Sequence, residues 1–84
     1  MTEIETKIRK FLAENFILSE QADQLSASDS FLEKGIIDST GILELVFFVE
    51  DQFGVQIDTS EVLPENFDSI DNLSAYIRTK QGAG

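Results

Sequence analysis

The chain has 84 residues and contains no histidine and no cysteine. Without thiols it has no disulfide framework and no thiolate metal site. Without histidine, catalysis would rest on carboxylates or lysines, and no paired-carboxylate arrangement suggests itself. An enzyme is therefore not expected, and neither a catalytic residue nor a metal ligand set is assigned. No segment fits the D-x-[DN]-x-[DN]-G-x₅-E calcium loop. No apolar run approaches the roughly twenty residues a membrane span needs, and no charged-then-apolar leader opens the chain. A cytoplasmic domain with no membrane span is the expectation. Bases are scarce: six, against sixteen acids, for a net charge of −10. Between Lys34 and Arg78 there is no base at all, but there are nine acids: Asp38, Glu44, Glu50, Asp51, Asp58, Glu61, Glu65, Asp68 and Asp71. Such a surface repels nucleic acid and anionic membrane, and it attracts partners with basic patches.

What is present reads as one small all-α domain. The first helix is predicted from Glu3 to about Ile17, with Thr2 and Glu5 fitting a capping box. Ile4, Ile8, Phe11, Leu12 and Phe16 share a face, and Lys7, Arg9 and Lys10 lie mostly elsewhere. Residues 19 to 38 are mostly polar and read as a long loop, of the length that is often functional. Leu25, Phe31, Leu32, Ile36 and Ile37 are expected to pin it, and Gly35 to supply a turn; Ser28 or Asp29 could cap a short helical turn. A second helix is predicted from Ser39 to Phe53, capped by Asp38 or Ser39 and stopped by Gly54. Ile42, Leu45, Val46, Val49 and Phe53 form its core stripe. Val55 and Ile57 read as an extended anchoring loop. Ser60 to Leu63 reads as one helical turn closed by Pro64, the only proline. The last helix is expected from Ile70 to Lys80, capped by Asp68 or Ser69, with Ile70, Leu73, Tyr76 and Ile77 facing inward. Residues 81–84 read as a flexible tail.

One constellation stands out. Ser39, Leu43 and Phe47 are spaced i, i+4, i+8, so they form a row along the second helix, off the core stripe. Glu44 and Asp51 border that row, and Glu50 is also a candidate for the charged border. An apolar centre with a charged rim is how a protein contact surface is built. With no base to activate it, Ser39 reads as an acceptor of a modification rather than a nucleophile. On geometry alone it is equally a helix cap, and Phe47 and Phe48 could be covered by the long loop.

The segment from Asp38-Ser39 through Thr40-Gly41-Ile42-Leu43-Glu44-Leu45-Val46-Phe47-Phe48-Val49-Glu50-Asp51-Gln52-Phe53-Gly54-Val55-Gln56-Ile57 resembles the acyl carrier protein family at nearly every apolar and acidic position. The resemblance covers almost the whole chain. It implies a small four-helix bundle with a long loop between helices 1 and 2 and a short third helix, over residues 1–80. It further implies that Ser39, beside Asp38, carries a covalent 4′-phosphopantetheine arm derived from coenzyme A. Acyl or aminoacyl groups would be held on the arm as thioesters. The implied partners are a phosphopantetheinyl transferase, an acyl-loading ligase or transferase, and downstream synthases of fatty-acid, polyketide or related biosynthesis. These would dock on Leu43, Glu44, Phe47, Glu50 and Asp51 of a monomer. The family often has leucine and then an acid after the serine; here Thr40 and Gly41 follow, and Gly41 is read either as room for the transferase or arm, or as drift. The Asp38-Ser39-Thr40-Gly41 pattern, with Pro64 to Ile70, looks more like free-standing carriers of specialised metabolism. Ser69, whose Asp68-Ser69 pair also precedes a predicted helix, reads as a cap. The rival reading is an unmodified acidic helical interaction adaptor.

Overall fold

Glycine and proline are absent from residues 3 to 34, and the first helix forms within that stretch as α1 (Glu3–Asn15). The computed structural model describes residues 3–83, so the capping role expected of Thr2 lies outside the described residues. Glu3–Lys7 and Glu5–Arg9 pairs, with the acid N-terminal, brace α1 at 3.4 and 3.1 Å, the first near solvent and the second partly buried. Ile8 and Leu12 are buried, while Ile4, Phe11 and Phe16 pack partly covered beside them. The helix closes two residues before the expected Ile17, because the Phe16 and Ile17 N–H groups both donate to the Leu12 carbonyl.

The stretch read as a long loop holds an unexpected helix, α2 (Ser19–Gln24). Leu18 is extended ahead of it and its N–H donates to Gln21 Oε1 at 3.0 Å. Arg9 holds α2 in place: its guanidinium donates to the Ala22 and Leu25 carbonyls, which lie at the C-terminal end of α2. A charge-assisted bond to helix-end carbonyls is favourable twice over, by charge and by dipole. Of the five pins expected for this loop, Leu25, Phe31 and Ile37 are buried and Ile36 is partly buried, but Leu32 is 45% exposed. Leu32 points outward because its neighbours consume the inward turn: Ser30 caps a turn over residues 30 to 34, accepting from Glu33 N–H and donating to Asp68. That cap replaces the expected Ser28 or Asp29. Gly35 makes the turn in the left-handed region, at φ 69°.

The remaining helices are α3 (Gly41–Phe53), α4 (Pro64–Phe67) and α5 (Ile70–Ala83), with a 3₁₀ turn at Thr59–Glu61. Gly54 ends α3 at φ 65°, its N–H donating to the Glu50 carbonyl. Residues 55 to 58 are irregular, and no strand occurs among the described residues. Pro64 opens α4 rather than closing the turn before it, since a first-turn residue needs no N–H partner. Ser69 caps α5, with Oγ accepting from the Asn72 N–H at 3.1 Å. Asp68, the alternative cap, is committed elsewhere. The α5 helix runs on to Ala83, past the expected end at Lys80. Ile70, Leu73, Tyr76 and Ile77 are all buried on Ile8, Leu12, Leu45 and Val49 in one core.

In the acid-rich segment from residue 35 to residue 77, Glu61 reaches a base, Lys80, at 3.1 Å. The Lys80 ammonium, and then the Asp58 N–H, hold the Glu61 carboxyl below its ordinary range. The other acids of this segment form no ion pair among the described residues. Self-repulsion therefore opposes the compact state. Added salt is expected to raise the midpoint of thermal unfolding; a midpoint that is flat or falls from low to moderate ionic strength contradicts this.

Candidate functional site

Asp38 ends the long loop and caps α3. Its carbonyl accepts from the Ile42 N–H at 3.1 Å, and its Oδ1 accepts from the Gly41 N–H at 2.7 Å. A side-chain acceptor on the third amide of a helix is the work of an N-cap. Ser39, the other capping candidate, is thereby released. It stands exposed in the first turn, and its hydroxyl makes no hydrogen bond among the described residues. The N–H groups of Ser39 and Thr40 also lie open at the head of the helix.

The other serines differ. Ser69 is 5% exposed and its hydroxyl is used as a cap. Ser26, Ser28, Ser30 and Ser60 all engage their hydroxyls in hydrogen bonds. Ser74 is buried. Ser19 alone shares an exposed and unbonded hydroxyl, but it begins the short polar α2.

The position of Ser39 is set from far away in sequence. At the α4–α5 junction, the Asp68 carboxylate accepts from Ser30 Oγ and from the Leu32 N–H (3.0 Å), and the Asp68 carbonyl accepts from the Phe31 N–H at 2.7 Å. The Phe31 carbonyl in turn accepts from the Ile36 and Ile37 N–H groups at 2.9 and 3.4 Å. Ile37 is buried and lies against Gly41. This relay carries the chain from Asp68 to Asp38 with few loose links. In sequence Asp68 reads as a surface acid and a possible cap; a contact across 38 residues leaves no local signal.

Gly41 is explained by packing. A Cβ there would stand 3.0 Å from the Phe16 ring and 3.0 Å from Ile37 Cγ2. Gly41 is buried and faces inward, so it makes room for Phe16 and not for an approaching enzyme or arm, correcting both expectations. Outside the helix, Leu43 is 58% and Phe47 67% exposed, which leaves the predicted row with Ser39 open to solvent. The long loop does not cover Phe47. Phe48 does turn inward and stacks on Phe11, with centroids 4.2 Å apart and planes 18° from parallel. Glu44 and Asp51 are exposed and without an ion pair among the described residues. Glu50 differs from them: its carboxylate accepts from the Ile57 N–H at 3.0 Å and ties the segment after α3 to the helix.

A phosphodiester on the Ser39 hydroxyl would meet the open amides and the positive end of α3, both of which favour an anion. The residues thus fit a phosphate-linked group. Among the described residues no acid, histidine or cysteine cluster could hold a metal ion, and no helix is long and apolar enough to cross a membrane.

Comparison with known proteins defines the class. Residues 7–77 match the family described as phosphopantetheine attachment site. The chain belongs to that family of phosphopantetheine-bearing carrier proteins, and its role is to carry, not to catalyse. It is 29% identical over 80 residues to an acyl carrier protein of Lactobacillus acidophilus, covering 95% of each chain. It is 30% identical over 78 residues to an acyl carrier protein of Nitratidesulfovibrio vulgaris, covering 93% of this chain and 97% of that one. It is 29% identical over 75 residues to PigG, a probable acyl carrier protein of a Serratia strain, with 89% and 85% covered. The four-helix carrier bundle implied by the sequence is therefore the fold, with α1, α3 and α5 as its long members, α4 as the short one, and α2 added in the connecting loop. The cofactor of such a carrier is 4′-phosphopantetheine.

Proposed function

We propose that Ser39 is the attachment point and that the exposed face of α3 presents the arm to successive enzymes. The observation that carries this is the unbonded, exposed Ser39 hydroxyl at the head of a long amphipathic helix, freed by the Asp38 cap. When bound, the arm supplies a terminal thiol that holds acyl or aminoacyl groups as thioesters. The protein's own residues do the presenting. Asp38 fixes the first turn, the Asp68 relay fixes Asp38, and Leu43 and Phe47 give an apolar contact ringed by Glu44 and Asp51. Glu50 belongs to the border as a charge, although its carboxylate also anchors Ile57. The partners are a phosphopantetheinyl transferase, a loading ligase or transferase, and synthases with basic patches. The resemblance at Asp38-Ser39-Thr40-Gly41 and at Pro64 to Ile70 supports a free-standing carrier of polyketide, fatty-acid or related biosynthesis. It acts as a monomer in the cytoplasm. Incubation with coenzyme A, magnesium and a broad-specificity transferase is expected to add one phosphopantetheine by intact mass. An unmodified adaptor would gain none.

Brief, steered docking is the mode that an acidic rim favours. Reversing both charges, Glu44→Lys with Asp51→Lys, is expected to slow transfer to or from the arm and to flatten its salt dependence. Each hydrated rim charge contributes about 1 kcal/mol or less, so neutralising both should lose no more than about thirtyfold in partner efficiency, and reversing both should lose more. Unchanged partner kinetics and unchanged salt dependence would remove Glu44 and Asp51 from the docking surface.

A further inference from the structure

We infer that the cargo of this carrier is a short or polar acyl group that stays outside the bundle, over the Leu43–Phe47 row. This rests on Ser39 as the attachment site. Two of the routes by which an acyl chain starting from the head of α3 could enter the core run toward α1 and toward α5 with the long loop. The seam toward α1 is closed by rings along its length. Phe16 abuts Gly41 so closely that a Cβ at 41 would be 3.0 Å from it. Phe16 meets Phe11 edge-on at 5.6 Å, Phe11 stacks on Phe48 at 4.2 Å, and Phe48 meets the edge of Phe53 at 6.0 Å. The seam toward α5 and the long loop is filled by Phe31, Ile37, Leu45, Val49, Phe67 and Leu73, none more than 1% exposed. An alkyl chain entering either seam must displace a ring or a fully buried side chain, and close-packed interiors resist added methylenes.

The surface cleft between α1 and α3 offers little to a long chain. A cleft of about 290 Å³ lies over the Phe11–Phe48 stack, but Lys7, Lys10, Glu14 and Gln52 surround it. Leu43 and Phe47 are more than half exposed. A long alkyl chain laid across two separate side chains would keep most of its surface in water, where apolar surface is unfavourable. A short acyl or an aminoacyl group suffers no such penalty. Phe11, Phe16 and Phe48 thus close the seam toward α1, while Phe31, Phe67 and Leu73 fill the other.

The test loads acetyl and octanoyl groups separately from the corresponding coenzyme A thioesters with a broad-specificity transferase. Intact mass reports loading, and failure to load either group defeats the Ser39 reading itself. On the loaded proteins, amide chemical shifts are compared with those of the phosphopantetheine form. The expected result is small changes confined to the neighbourhood of Ser39, Leu43 and Phe47, the same for both groups, and one midpoint of thermal unfolding for both. Large shifts at Leu45, Val49 and Leu73 with octanoyl alone, or a higher midpoint with octanoyl alone, would show a chain inside the bundle and overturn the inference.

Discussion

Ser39→Ala is expected to abolish the gain of phosphopantetheine while leaving the fold as it is. Ser39 is exposed, its hydroxyl is unbonded among the described residues, and Asp38 performs the capping. Alanine is at ease in a first helical turn, so thermal stability should change by no more than about 0.5 kcal/mol. The loss of modification is complete because the arm is joined through that oxygen. Two control variants sharpen the result. Ser69→Ala should still be modified in full, but should lose about 1 kcal/mol of stability with its cap on α5. Ser19→Ala should be modified in full with little change in stability. Intact mass and a melting curve on each variant read both outcomes. Continued modification of the Ser39→Ala protein would move the site elsewhere.

Phe31→Ala should damage the fold more than any surface change. The ring is fully buried in the core, and the backbone at this residue is the middle link between Asp68 and Ile37. Removing a buried phenylalanine side chain costs about 3–5 kcal/mol through lost transfer energy and the cavity left behind. Domains have only about 5–15 kcal/mol in total, and one this small lies toward the low end. The midpoint of thermal unfolding should therefore fall by at least about 12 °C. A second consequence follows from the relay: at temperatures where the variant is still folded, modification of Ser39 should slow, because the loop that delivers Asp38 has lost its anchor. A fall corresponding to less than about 1 kcal/mol would mean that the loop is held by its other contacts and that Phe31 is replaceable.

Much of this architecture is local and so can be read from the chain. The period of Ile42, Leu45, Val46 and Val49 marks α3, the row of Ser39, Leu43 and Phe47 falls outward from the same rotation, and Gly54 stops the helix as its position suggests. The inward stripe of α5 is equally plain. What is not legible is long-range. The α2 helix has a polar sequence, and it is held by Arg9 from another helix as much as by its own residues. Arg9 looks in sequence like any basic residue on an outer face. Asp68 looks like a cap for the helix that follows it, yet it serves the loop that precedes the site. Gly41 looks like an opening toward solvent, and only the position of Phe16 shows that the space is already filled. Pro64 misled for a different reason: proline ends one helix and starts another with equal ease, and here the turn before it had already closed at Val62.

The central claim is that one hydroxyl, that of Ser39, bears the arm. The most direct measurement is fragment-level mass spectrometry of the protein isolated after co-expression with a transferase, with the arm localised between neighbouring residues. The chain offers eight serines, and Thr40 stands next to the proposed site, so localisation must separate Ser39 from Thr40 as well as from Ser19 and Ser69. The account predicts a single phosphopantetheine, found only on Ser39. An arm on Thr40 or on any other serine, or a protein recovered wholly unmodified, would contradict it.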